Sequence, residues 1–197
     1  MSRKLFDILA SSAGVVVVVV LVIAGGLLTW GHSFVNTNVH NQLAQQQIYF
    51  PPKAAFEHPK AGTEITPSMI PSVSQYAGQQ LLTGEQAKTY ANDFIAVHLS
   101  EMPYGGVYSK ISAAALANPK NTQIAALKQT SFTGTTLRGL LLEAYAFSTI
   151  GTIMLWGAIA SFVAAACLSV LVGLGFWHAR RTEVDERMLA RDAVPAS

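Results

Sequence analysis

Cysteine occurs once in this 197-residue chain, at Cys167. A disulfide framework is thereby excluded, so any exported part must be stable without covalent staples. Cys167 lies among Ala164–Ala166 and Leu168, with no cationic neighbour of the kind that activates a thiolate, and reads as a small packing residue. Charge is scarce as well, at 12% of residues with a net +2, and no stripe of Lys and Arg alternates with aromatics. That excludes nucleic acid as a partner. No Gly-x-Ser-x-Gly elbow, Ser-x-x-Lys pair or Gly-rich phosphate loop occurs. Asp93 and Glu143 stand alone and offer no paired carboxylates. Neither an alternating strand pattern nor an internal repeat is present. The sequence carries no support for an enzyme.

Two long apolar runs stand out instead. The stretch "GVVVVVVLVIAGGLLTW", Gly14–Trp30, follows Arg3 and Lys4. A secretory signal has an apolar core of about 7–15 residues and then a small-x-small cleavage site. Here the run closes on Thr29-Trp30-Gly31-His32, a poor cleavage site but a good interfacial anchor. A permanent first span over residues 13–30 is expected. The second run, Ala144–Trp177, holds no charged residue over 34 positions. As a helix it would be roughly 50 Å long against a hydrocarbon core of about 30 Å. The span is therefore placed at residues 150–177, and the first turns, Ala144–Thr149, protrude.

Cytoplasmic flanks collect Lys and Arg. Arg3 and Lys4 precede the first run, and Arg180, Arg181, Arg187 and Arg191 follow the second, whereas no Lys or Arg lies between Trp30 and Lys53. Both termini, residues 1–12 and 178–197, are expected in the cytoplasm. Residues 31–149 then form an extracytoplasmic domain, nearly neutral with seven basic and six acidic side chains. Trp30, Trp177, Arg180 and Arg181 are the expected membrane-interface anchors. The fold class predicted is an all-α plasma-membrane protein, two transmembrane helices flanking a domain of helices and loops.

Within that domain, Val35, Val39, Leu43 and Tyr49 or Phe50 recur at helical intervals, so the first helix is expected to continue until Pro51-Pro52 stops it. The segment from Lys53 to Ser72 holds Pro59, Gly62, Pro67 and Pro71 and reads as extended and irregular, functional or pinned to something. Thr83 with Gln86 three residues on is a capping-box pattern, and Ala87, Ala91, Phe94 and His98 follow on one buried face. Two short helices are expected over 109–117 and 121–129, and the last helix starts near Thr135.

His98 and Glu101 form a His-x-x-Glu pair, spacing that places two metal ligands on one helix face. A third ligand is required, and His32, His40 and His58 have no convincing spacing to supply it. The plainer reading has His98 at the edge of the apolar face, bonded to a loop carbonyl. His32 and His178 fall at opposite membrane faces and cannot jointly hold a haem. No cofactor or metal is expected. In the second span Gly157, Ser161, Ala165, Ser169 and Gly173 recur every four residues, the spacing of a close right-handed helix crossing. The partner is either the first span, through Gly25-Gly26, or a span of another subunit.

Four segments, "VHNQLAQQQIYFPP", "YAGQQLLTGEQAKTYANDFIAVHL", "LRGLLLEAYAF" and "GFWHARR", resemble in wording and order a family of actinobacterial two-span membrane proteins, often labelled aromatic ring-opening dioxygenases. The residues here speak against that label, because two His and a carboxylate cannot be assembled. At least one member resembles a small accessory factor found with the actinobacterial respiratory supercomplex, which joins a cytochrome bcc complex to a terminal cytochrome c oxidase. The resemblance thus implies a non-catalytic accessory subunit whose partners are the lipid bilayer and subunits of cytochrome bcc and cytochrome c oxidase. A free-standing or homo-oligomeric envelope scaffold is the alternative. The stretch "EMPYGGVYSKIS" departs from the family's more polar form and receives no role.

Overall fold

The computed structural model describes residues 3–60 and 63–181. Arg187 and Arg191, invoked above for the flank of the second run, lie outside the described residues, as does the side chain of Arg3. Among the described residues there is no strand, and one isolated antiparallel bridge joins Tyr49 to Gln80. The helices are α1 (Arg3–Gln46), α2 (Ile70–Val73), α3 (Gly84–Thr89), α4 (Ala96–Glu101), α5 (Tyr108–Ala117) and α6 (Thr122–Arg181), with a π-helical turn, Tyr90–Ile95, joining α3 to α4. The chain divides into two compact units, residues 1–32 with 153–197, and residues 33–152.

The first unit pairs α1 with α6, and both helices are long and apolar enough to cross a membrane. Little of either apolar stretch is covered, which separates them from the core helices of a water-soluble protein. Val16, Leu27, Ile153 and Val170 are each more than 60% exposed. Six consecutive Val residues are mediocre helix formers in water. In hydrocarbon the backbone has no alternative to its own hydrogen bonds, so the helix persists.

The second unit is built on the core residues Val39, Leu43, Phe50, Ile65, Met69, Val73, Leu81, Ala87, Ala91, Ile95 and Leu141. α1 ends at Gln46, earlier than Pro51, because Gln47 turns into the left-handed region at φ 51°. The chain then runs extended beside residues 79–81, with Phe50 N–H donating to Gln79 O and Leu81 N–H to Ile48 O, each at 2.9 Å. That reversal buries Phe50 and leaves Tyr49 outside.

The Pro-rich segment is a corrected expectation. Ile65, Met69 and Val73 occur at intervals of four, are at most 2% exposed, and enter the core through a 3-10 turn and α2. The capping box at the start of α3 is present as expected. Gln86 N–H donates to Thr83 Oγ1, and Gln86 Oε1 accepts from the Leu82 and Thr83 amides.

The last helix also differs from expectation. Residues 121–129 are no separate piece; α6 starts at Thr122 and runs unbroken through Gly134. Two contacts hold that weak stretch helical. Ser131 Oγ bonds the Gly106 carbonyl, and the Leu99 side chain packs 2.9 Å from where a Cβ on Gly134 would be.

Candidate functional site

In the unit that pairs α1 with α6, the covered positions of α1 include Ser11, Gly14, Val18, Leu21, Gly25 and Leu28, with Ala24 half-buried beside Gly25. On α6 they include Ala158, Ser161, Ala165, Leu168, Val172 and Gly175. Both sets alternate steps of three and four, a mean period of 3.5 residues and the spacing of left-handed pairing. The helices are antiparallel, because contacts climb on one as they fall on the other. Ser11 meets Gly175, Gly14 meets Val172, Gly25 meets Phe162, Leu28 meets Gly157 and Gly31 meets Met154. A Cβ on Gly25 would lie 2.9 Å from the Phe162 ring, so glycine is what admits that ring.

The four-residue stripe shares Ser161 and Ala165 with this seam, and Gly157 borders it, 3.2 Å from Leu28 Cδ1 to where its Cβ would be. Ser169 and Gly173 part from it. Both are exposed, and nothing lies within 4 Å of a Cβ built on Gly173. A step of four residues overshoots a 3.5-residue seam by half a residue each time, so the stripe rotates off it. Cys167 is also exposed rather than packed within the chain. Gly25 and Gly26 divide in the same way, for Gly26 has nothing within 4 Å.

The anchor residues are all exposed. Arg181 lies over the Trp177 ring at 4.1 Å, and Arg180 is exposed beside it. The pairing of Gly31 with Met154 and Leu28 with Gly157 brings Trp156 level with Trp30, both 66% exposed. Sequence reading passed over Trp156 because it sits inside the uncharged run; only the register across from α1 reveals it. From Trp156 to Trp177 the helix rises roughly 32 Å, close to a hydrocarbon core of about 30 Å. His178 Nε2 lies 3.9 Å from Asp7 Oδ2 at the same end of the pair as Trp177.

In the second unit, residues 84–101 pack antiparallel along α6. Gly84 abuts Ser148, Lys88 reaches Tyr145, Asn92 meets Arg138 and Leu99 meets Gly134. Gly84 must lack a Cβ, since one would collide with Ser148. Lys88 Nζ lies 3.4 Å from Tyr145 Oη and 4.7 Å from its ring centroid. That hydrogen bond and the tyrosine's charge, with Glu85 next, hold the lysine pKa above its ordinary value. Burial raises the Tyr90 pKa, aided by Glu64. Arg138 Nη2 donates to Asn92 Oδ1 at 2.9 Å.

His98 bonds the carbonyl of Phe94 on its own helix, not a loop, at 2.9 Å through Nδ1, and its ring meets the Phe94 ring edge-on at 4.6 Å. A carbonyl only accepts, so the proton sits on Nδ1. Among the described residues no three His, Cys, Asp or Glu side chains gather to hold a metal. One concavity, about 440 Å³, is an open groove walled by Phe34, Asn38 and Gln42 of α1 and by Leu140, Glu143 and Phe147 of α6. It offers apolar walls and amides, with one carboxylate and no acid–base pair. The candidate site is the set of helix-contact surfaces along α1 and α6.

Comparison with protein-family models, curated proteins and solved structures finds no match for this chain.

Proposed function

We propose that the chain is a non-catalytic accessory subunit of a plasma-membrane protein complex, holding that complex together through its two spans and its mid-chain unit. The observation that carries the reading is what remains uncovered once α1 and α6 have paired. Among the described residues nothing lies within 4 Å of a Cβ built on Gly26 or Gly173, and Ser169 is exposed. Bringing helices together in lipid yields little hydrophobic gain, and close approach depends on small residues such as these. The sequence resemblance points to the actinobacterial respiratory supercomplex, with cytochrome bcc and cytochrome c oxidase subunits as neighbours. In this reading both termini are cytoplasmic and residues 31–149 lie outside, on the strength of Lys4, Arg180 and Arg181 flanking the spans.

Affinity purification of a carboxy-terminally tagged chain in mild detergent tests the reading, scored by mass spectrometry and a haem spectrum. Co-eluting cytochrome bcc and oxidase subunits are expected. Elution of the chain alone, without haem, would sink the proposal and leave a self-associating envelope scaffold. Orientation is tested separately on a Cys167→Ala background. A cysteine replacing exposed Gln75 should react with a membrane-impermeant maleimide in intact cells, and one replacing Arg180 only after permeabilisation.

A further inference from the structure

The groove between α1 and α6 in the second unit has a shape that narrows what can occupy it. Phe34, Asn38, Gln42 and Gln46 recur every four residues along the α1 wall, so the groove follows that helix for roughly 18 Å. Leu140, Glu143 and Phe147, three and four residues apart, form the α6 wall. Val39 and Leu43 lie beneath as a buried apolar floor, and the groove is open on the side away from them. Its lips are apolar as well, with Phe34, Leu140 and Phe147 at 56%, 54% and 49% exposure.

The open side sorts the occupants. An acyl chain laid in such a groove keeps one side in water, at a cost for each methylene left wet. A small molecule is held where walls enclose most of its surface. An amphipathic helix differs from both, because it buries one apolar stripe and keeps its opposite face hydrated. About three turns of helix match the length of the groove.

The polar lining adds a sign. Glu143 is the one charged residue that lines the groove. The flanking helix surfaces add none, for no Asp, Glu, Lys or Arg lies between Asp7 and Lys53, and Glu143 stands alone between Arg138 and Arg180. Among the described residues the Glu143 carboxylate has no ion pair or hydrogen bond, and the side-chain amides of Gln42 and Gln46 have no hydrogen bond. Asn38 Nδ2 donates to the Phe34 carbonyl of its own helix at 2.8 Å.

We propose that this groove receives an amphipathic helix of another subunit. Apolar residues of that helix, at intervals of three and four, sit between the walls, and a Lys or Arg on its flank pairs with Glu143. The inference rests on the accessory-subunit reading and names the kind of segment that one partner presents. Charge complementarity gives the flank its sign, and the amides of Gln42 and Gln46 extend the polar rim around an apolar centre.

The test replaces exposed Gln46, at the end of the α1 wall, with a benzophenone amino acid in the full tagged chain. Native membranes are irradiated and the adduct is identified by mass spectrometry. The expected product joins residue 46 to a segment of another subunit with apolar residues at helical spacing and a Lys or Arg beside them. Glu143→Lys sets like charges together and should lower the adduct yield roughly fivefold. Glu143 is exposed, so this variant leaves the fold intact. Exchanging the captured segment's basic residue for Glu should restore the yield in that variant and lower it in the wild type. An adduct to lipid, to a second copy of the chain or to a segment without that pattern would overturn the proposal, as would full yield from Glu143→Lys. So would a chain that co-elutes with its complex but forms no adduct. A wild-type chain that elutes alone is read before irradiation and overturns the accessory reading itself.

Discussion

Ser131 on α6 donates a 2.7 Å hydrogen bond to the carbonyl of Gly106, twenty-five residues earlier, and Ser131 is completely buried. This contact fixes the loop before α5 and, with Leu99 packed against Gly134, supports α6 through a stretch whose residues, Thr130 to Thr135, form helix poorly. Ser131→Ala leaves the Gly106 carbonyl buried without its donor, and the cost should be about 1–3 kcal/mol. Hydrogen exchange over residues 102–107 and a thermal melt in detergent would measure it. Unchanged protection of that loop would show that Ser131 does not hold it.

At the start of α3, Gln86 is 7% exposed and its side chain serves the amides of Leu82 and Thr83 while donating to Gln79 Oε1. The Thr83 hydroxyl accepts from the Gln86 backbone N–H and donates to Gln86 Oε1, both at a long 3.3 Å, and serves only one backbone amide. Thr83→Ala should therefore cost about 1 kcal/mol, as helix caps do. Gln86→Ala should cost more, because it strands two part-buried amides. Denaturant melts of the two variants check the ranking, and a larger loss for Thr83→Ala would contradict it.

Some of this was legible in the sequence and some was not, for physical reasons that differ by element. The spans and the capping box rest on local rules: the lack of charge over Ala144–Trp177, and a Thr–Gln pair at a fixed offset. The Pro-rich segment hid its core contribution because Pro59, Pro67 and Pro71 signal a break while Ile65, Met69 and Val73 keep a helical spacing across it. Continuity of α6 depends on Leu99 and Gly106, long-range partners that no window around Gly134 contains. The first span was one of the two partners the sequence offered for α6, through Gly25-Gly26, but the register of the seam escaped because small residues are dense in α6. The four-residue pattern drew attention, whereas the covered positions also include Leu168 and Val172. The left-handed backbone of Tyr104 gave no sign beforehand, since handedness at a non-glycine residue is not written in composition.

Alkaline pH should unfold the mid-chain unit by a route its tyrosines and lysine define. Lys88 is raised above 10.5 in the folded state by Tyr145 and Glu85, so the folded chain holds that proton more tightly than the unfolded chain. Its contribution is whole below pH 10.5 and is lost as pH climbs through the folded value. Tyr90 is raised above 10.0 by burial, and its neutral form is likewise favoured on folding. Stability from both groups should stay flat through neutral pH and fall above pH 10. Tyr90→Phe cannot ionise and should move the alkaline midpoint upward, read by circular dichroism against tyrosinate absorbance. A midpoint that Tyr90→Phe leaves in place would remove Tyr90 from the account.

Gly25 and Gly26 are adjacent in sequence and opposite in consequence. A Cβ on Gly25 would lie 2.9 Å from the Phe162 ring, while one on Gly26 meets nothing within 4 Å. Gly25→Leu should force α1 and α6 apart and destabilise the pair by about 1–3 kcal/mol, the cost of overpacking a tight contact. Gly26→Leu adds the same side chain to a free face and should change the pair's own stability by less than about 0.5 kcal/mol, as substitutions that touch nothing do. The two variants differ again if Gly26 lies against another subunit, because then Gly26→Leu should weaken co-elution while leaving the isolated chain intact. Disulfide trapping between cysteines placed at Leu28 and Gly157, on a Cys167→Ala background, reads the first effect. Pull-down yield in mild detergent reads the second. Equal trapping in both leucine variants would mean that α1 does not meet α6 through Gly25 and would overturn the seam.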